Sequence, residues 1–287
     1  MIGLRRTAVA GSWYPADPEA LAREVDRYLA AVTRSPSGNP VAIIAPHAGL
    51  IYSGPVAAHA YSLLRGRDID VAILVGPSHY VGFEGVAIYE SGAFETPFGP
   101  IPIAEDCASD VVKACRLVKV HPAAHSREHS LEMQLPFLKR VLPHASIVPL
   151  VMGYQDRETA YQLGDAIRSA AQGRHAGIIA STDLSHYQNA TVASALDDKV
   201  IRQVLHFDAD GLMSLLETNP QHACGGGPTV SVMLAAKSLG ATDARVLNYA
   251  DSGDVSGDKT AVVGYLAAAF GSFAPEMPHS TAPRESR

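Results

Sequence analysis

Cysteine is scarce in this 287-residue chain, and its three occurrences, Cys107, Cys115 and Cys224, are too few and odd in number for a disulfide framework. Free thiols in a reducing compartment are the expectation. Long apolar stretches are missing as well: runs such as 41–45 and 71–75 have strand length, far below the roughly 20 residues of a membrane helix, so no membrane partner is expected. Positive charge is thin. Against 29 Asp+Glu stand 23 Lys+Arg, for a formal charge of -6, and no basic run is longer than the pair Arg5-Arg6. That excludes a phosphate-tracking surface, and with it nucleic acid as a partner. No apolar segment follows Arg5-Arg6 either, since Gly11-Ser12-Trp13-Tyr14-Pro15 comes next; a secretory signal is not expected and a cytoplasmic location is.

What remains is an ordinary globular composition, 47% apolar and 18% charged, sufficient for a substantial core. Strand-like apolar runs at 41–46, 71–76, 85–89, 146–151, 177–181, 245–249 and 261–267 alternate with helical patterns. The helices are expected at 18–31, 55–64, 105–115, 130–141, 157–172, 191–207, 209–217 and 229–239. This alternation predicts an α/β fold, a single layered domain over 1–270 with a mostly parallel central sheet. Asp17 and Asp208 are placed to cap helices, and Gly173 and Gly240 to stop them. Residues 91–103, with three prolines and two glycines, read as a hairpin or ordered loop. The polar, proline-rich 271–287 reads as a mobile tail without chemistry.

Of twelve histidines, two fall just past strand ends: 41–46 runs into His47 and 71–76 into His79, with one helix between. In such a βαβ unit both strands point the same way, so both imidazoles reach the carboxyl edge of the sheet, where open α/β folds bind ligands. The strand at 177–181 repeats the pattern with Asp183, His186 and Tyr187. Imidazoles with a carboxylate nearby suggest a metal site and its supporting hydrogen bonds; the alternative is that each histidine merely satisfies a loop. Cys224 opens Cys-Gly-Gly-Gly-Pro ahead of a helix, where a thiolate is favoured, and is read as a metal ligand, a nucleophile or a buried small residue. Three glycines in a row suggest a close backbone approach.

Cys107 and Cys115 read as packing residues. His129 lies in the polar cluster 125–138, as an acid or base or as part of a structural network, with Ser130 or its neighbour as the helix cap. Trp13 and Tyr14 form an aromatic pair that either walls a pocket or anchors the N-terminal arm. The acidic stretch 251–258 lacks calcium-loop spacing and reads as a turn.

The motifs Gly-Ser-Trp-Tyr-Pro (11–15), Ala-Pro-His-Ala-Gly (45–49), Gly-Pro-Ser-His (76–79), Glu-His-Ser-Leu-Glu (128–132), Asp-Leu-Ser-His-Tyr (183–187), Cys-Gly-Gly-Gly-Pro (224–228) and Asp-Ser-Gly-Asp-Val-Ser-Gly-Asp (251–258) resemble those of the Memo family over about residues 5–270. The family's fold is similar to that of class III extradiol dioxygenases of the LigB type, which are non-heme iron enzymes. The resemblance implies that His47, His79 and Cys224 are metal ligands, with Trp13 and His186 lining the same pocket and Asp183 nearby. Where the dioxygenases complete two histidines with a carboxylate, this chain offers a softer thiolate, suited to iron and also to copper.

The expected function is a metal-dependent, dioxygenase-like oxidoreductase acting on a small phenolic or other chelating substrate. Its centre is iron, with copper as the alternative. His186 serves as acid or base with Asp183 orienting it, His129 assists, and Trp13, Tyr14 and Tyr187 contact substrate. Two rivals use the same residues: a hydrolase with Cys224 as nucleophile, and a non-catalytic module binding a peptide or small molecule.

Overall fold

A computed structural model describes residues 3–275. The chain opens with strand β1 (Leu4–Arg5) and helix α1 (Pro18–Ala31), then alternates β2 (Gly38–Ala45), α2 (Leu50–Ser62) and β3 (Val71–Pro77). Next come β4 (Val86–Ile88), β5 (Ala93–Phe94), β6 (Ile101–Pro102), α3 (Glu105–Ala114), β7 (Val118–Val120), the single turn α4 (Pro122–His125) and α5 (Leu135–Val141). The second half runs β8 (Ser146–Met152), α6 (Arg157–Ala171), β9 (Ala176–Ser181), β10 (His186–Gln188), α7 (Ala190–Leu205) and α8 (Ala209–Thr218). It closes with α9 (Gly226–Ser238), β11 (Asp243–Asp251), α10 (Gly253–Ser256) and β12 (Val262–Phe273).

Nine strands form one sheet in the order β10-β12-β2-β9-β3-β8-β4-β7, with β11 also paired to β12. The layered α/β class is as expected, and its parallel part is the four central strands β2, β9, β3 and β8. Beyond them β12 runs antiparallel to β2 and β4 antiparallel to β8, while β4 and the edge strand β7 pair in parallel. A β11–β12 hairpin needs only a short turn, whereas each central parallel pair needs a crossover. Ala42–Ala45 and Ala72–Val75 are buried on both faces, as strands covered by helices on each side must be. Helices α9, α6, α3 and α8 form one packed group, and α2, α1 and α5 another.

Asp17 and Asp208 cap α1 and α8 as expected, accepting from the Ala20 and Gly211 amides at 2.8 Å each. Gly173 (φ 76°) and Gly240 (φ 94°) end their helices in left-handed backbone. Residues 91–103 contain the antiparallel β5–β6 pair. Cys107 and Cys115 are buried packing residues.

Three expectations shift. Helix α2 begins at Leu50, five residues early, and tolerates Pro55 inside it; the Leu50 amide donates to the Trp13 carbonyl (2.8 Å) and Ser53 Oγ to the Ala48 carbonyl (2.8 Å), which anchors the added turn. The helix expected over 130–141 is regular only from Leu135, because the His129 and Ser130 amides are taken by the Glu128 side chain and Ser130 Oγ donates to the Pro77 carbonyl. Strand β12 continues to Phe273, opposite Gly38, so 271–273 belong to the sheet; 276–287 lie outside the described residues. The 251–258 turn encloses α10, and the Lys259 ammonium bridges Asp251 (2.7 Å) and Asp254 (2.6 Å).

Burial has a consequence for acid stability. His125 is almost completely enclosed, and burial pushes its imidazole down to about 3 despite the Ala87 carbonyl 3.2 Å from Nε2. The unfolded chain takes up this proton below about pH 6.5 while the folded chain does not, so stability falls as pH drops from 6.5 toward 3. His47 and His129 act in the same direction. The unfolding free energy is expected to fall by at least about 2 kcal/mol between pH 7 and 5, read from urea midpoints. His125→Gln should flatten that slope, and a curve flat in the wild type contradicts the assignment.

Candidate metal centre

The parallel register brings the functional loops together. Ala45 on β2 lies opposite Ser181 on β9, and Val75 on β3 opposite Ala180, so three strands end at one sheet edge. His47, His79 and the loop bearing Asp183 and His186 emerge there. Cys224 arrives from elsewhere, two residues before α9. One donor atom each from His47, His79 and Cys224 all lie within 4.8 Å of one another. His47 Nε2 is 3.2 Å from Cys224 Sγ, and the His47 and His79 ring centroids are 5.2 Å apart.

Hydrogen bonds decide which nitrogens are free. Ser181 Oγ donates its only proton to the Ser130 carbonyl (2.6 Å) and accepts from Gln134 Nε2 (2.8 Å). It must therefore also accept from His47 Nδ1, 2.8 Å away. That leaves the lone pair of His47 Nε2 facing the sulfur. His79 Nδ1 donates to Glu128 Oε1 at 2.9 Å, which likewise leaves its Nε2 bare. Such partners fix the tautomer of ligating histidines and strengthen them as donors. Burial drives the His47 imidazole well below its ordinary range, and the neighbouring His79 adds to this, so His47 is neutral, as a ligand must be.

Glu128 organises one wall. Its carboxylate also accepts the amides of His79 (2.6 Å), His129 (2.9 Å) and Ser130 (2.8 Å). Burial alone would raise this carboxyl, but the bonds from His79 and Ser130 overcome it and hold it at about 2. His129 stacks on His79 with centroids 4.5 Å apart, and the Trp13 ring lies 4.3 Å from His129. Burial and the nearby His47 and His79 rings push His129 down to about 3, and its Nδ1 is buried without a hydrogen-bond partner. His129 thus belongs to the centre and is a neutral imidazole there. The N-terminal arm that carries Trp13 is pinned by Glu132, which accepts the Ala8 and Val9 amides (2.8 and 3.0 Å) and the Tyr14 hydroxyl (2.7 Å) and pairs with Arg5.

The glycines after Cys224 are explained by what presses on them. A Cβ at Gly225 would sit 2.3 Å from the Ser181 carbonyl oxygen, one at Gly226 2.5 Å from Leu216, and one at Gly227 2.8 Å from Met152 Sδ. Three elements thus close on three consecutive residues, and Gln155 clamps the turn by donating to the Cys224 carbonyl (2.6 Å) and accepting from the Gly227 amide (2.8 Å). Gly225→Ala must push Cys224 off its position. It is expected to cost about 1–3 kcal/mol in stability and to lower metal content, both measurable on one purified sample. Unchanged metal loading would show that the turn does not set the sulfur.

Two expected roles change. Asp183 does not hydrogen-bond to His186 among the described residues; its Oδ1 accepts the His47 amide at 2.7 Å, so it shapes the His47 loop instead. Burial raises its carboxyl to about 6, against the pull of that amide. Tyr14 is buried against Glu132 and anchors the arm, while Trp13 alone of that pair is at the surface. His186 and Tyr187 border, with His79 and Cys224, a cavity of about 430 Å³.

The imidazole nearest the sulfur is that of His47. Burial, with the Asp183 carboxylate adding to it, pushes the Cys224 thiol up, which weakens it as a nucleophile. Ser181, Gln134 and Gln155 were not singled out in the sequence. A serine ending a buried strand and a glutamine within an otherwise apolar helix start were the available signals.

A family model described as Memo-like protein matches residues 5–269. The chain is 38% identical over 272 residues to a MEMO1 family protein of Methanothermobacter thermautotrophicus, covering 91% of this chain and 98% of that one. It is 38% identical over 278 residues to a MEMO1 family protein of Methanopyrus kandleri (93% and 98% covered). With a MEMO1 family protein of Nitrosopumilus maritimus it shares 32% identity over 275 residues (93% and 99%).

Proposed function

The chain belongs to the Memo family, and from that membership together with the converging donors we propose that it is a metal-dependent non-heme oxidoreductase of dioxygenase-like type. The carrying observation is that His47, His79 and Cys224, from three separate loops, bring donor atoms within 4.8 Å of one another. Both ligating imidazoles are presented with Nε2 free. The donor set fits a cation: two imidazoles and a half-buried thiol whose own environment lacks the positive charge that a thiolate needs. Iron is the expected ion and copper the alternative. When bound, the ion supplies Lewis acidity and one-electron redox capacity.

The chain's own groups do the rest. The substrate, a small phenolic or other chelating organic molecule, occupies the cavity beside Cys224 and His79 and reacts with dioxygen. His186, at that cavity's edge, exchanges the substrate's hydroxyl proton. His129, neutral and enclosed, covers one face of His79 and holds that ring in place. Trp13 closes the side next to His129. The protein works in the cytoplasm in this reading.

Anaerobic purification followed by elemental analysis and oxygen uptake with catechols tests the proposal. About one iron or copper per chain and chelator-sensitive uptake are expected. Metal-free protein after anaerobic purification that also fails to take up added iron or copper sinks it. Binding of metal without turnover of any catechol would instead favour the module that only binds.

A further inference from the structure

Two non-glycine residues among those described adopt left-handed backbone, Phe207 (φ 54°) and Tyr187 (φ 60°). The first is accounted for locally. Phe207 follows the end of α7, where a left-handed residue closes a helix, and its buried ring stacks on Phe270 with centroids 4.7 Å apart. Tyr187 has neither excuse. It sits within β10, where the ladder to β12 slips: His186 lies opposite Val263 and Gln188 opposite Val262, so residue 187 is the extra one of a bulge.

A left-handed bulge position normally carries glycine. Here it carries a tyrosine that is 77% exposed, so core packing does not repay the strain. Strain of this kind persists where a side chain is aimed for use, and bulges are a common device for aiming one. The target is adjacent. Tyr187 borders the cavity of about 430 Å³ that reaches Cys224 and His79, with Leu196 and Pro220 as apolar wall and His186 next to it, its ring centroid 5.7 Å from that of Tyr187. Among the described residues, no aspartate, glutamate, lysine or arginine lines that cavity. In the metal-free chain a charged ligand would lose its hydration there without gaining a carboxylate, ammonium or guanidinium partner.

The geometry points to Tyr187 as a specificity-determining residue that selects a neutral, planar aromatic ring for this cavity. The ring packs against the tyrosine face, and the His186 imidazole meets its hydroxyl. This deepens the proposed function by naming the charge and shape of its ligand, and it rests on that reading for the cavity's role but not on the ion.

The test uses the full chain after chelator treatment, with phenol, cyclohexanol and benzoate as probes in ligand-observed NMR titrations. Phenol is expected to bind about fivefold more tightly than either of the others. Tyr187→Gly and Tyr187→Asn, which suit the left-handed backbone, are expected to abolish that preference while the Tm holds or rises by about 2 °C. Tyr187→Phe should keep the preference. A glycine variant that still prefers phenol, or that melts lower than the wild type, overturns the assignment, as does equal binding of the three probes. Failure of the metal reading shows elsewhere, in the metal content of the untreated wild type, which Tyr187 substitutions leave unchanged.

Discussion

Cys224→Ser is expected to lower the affinity of the proposed centre for a metal ion at least about a hundredfold. Loss of a supporting partner in the surroundings of a metal site costs about 10- to 100-fold, and removal of a direct donor costs more. Serine keeps the size of the side chain, and Gln155 and the three glycines still hold the turn in place, so the fold should survive. What is lost is the polarisable sulfur 3.2 Å from His47 Nε2, since a hydroxyl does not deprotonate under a cation as readily as a thiol does. Elemental analysis of wild type and variant purified side by side reads the result. Full occupancy in the variant would mean that the sulfur is not a ligand.

Glu132→Gln should produce a large loss of stability. Glu132 and Arg5 are both enclosed, with side chains 0% and 2% exposed, and the same carboxylate also holds two backbone amides and the Tyr14 hydroxyl. Neutralising it leaves the Arg5 guanidinium buried without its counter-charge, which costs about 3–5 kcal/mol. For a chain of this size that lowers Tm by roughly 6–15 °C. Tyr14→Phe removes one hydrogen bond only and should cost about 1 kcal/mol. Differential scanning calorimetry on the two variants separates these outcomes, and equal small losses would show that the pair contributes little.

The candidate site was legible in part because the residues that converge on it, His47, His79 and Cys224, follow local rules. His47 and His79 sit just past strands flanking a helix, and the handedness of that unit puts both at one edge. Cys224 was marked by the glycines behind it, whose crowding by Ser181, Leu216 and Met152 is the physical reason for them. The role of Glu132, and its pairing with Tyr14, were not legible, although anchoring of the arm was one of the two readings of the Trp13-Tyr14 pair. The residues that Glu132 holds lie 118 to 127 positions away, and nothing local in either segment announces the other. Asp183 was placed at the right edge but given the wrong neighbour, because its position past β9 fixes its location and not which donor it meets. Strand direction at the flanks was hidden too. An apolar run such as 261–267 has the same composition whether it runs with or against its neighbour, and only the brevity of the turn before it favours the antiparallel choice.

The arm that lays Trp13 beside His129 has one more implication. The chain has a single tryptophan, and it stands next to the imidazole that stacks on a ligand of the centre. Indole emission therefore comes from one spot alone, and a paramagnetic or redox-active ion arriving a few side chains away should dim it. On the proposed reading, metal added to the chain and withdrawn by a chelator should be visible as a change in that emission, in real time and without a label.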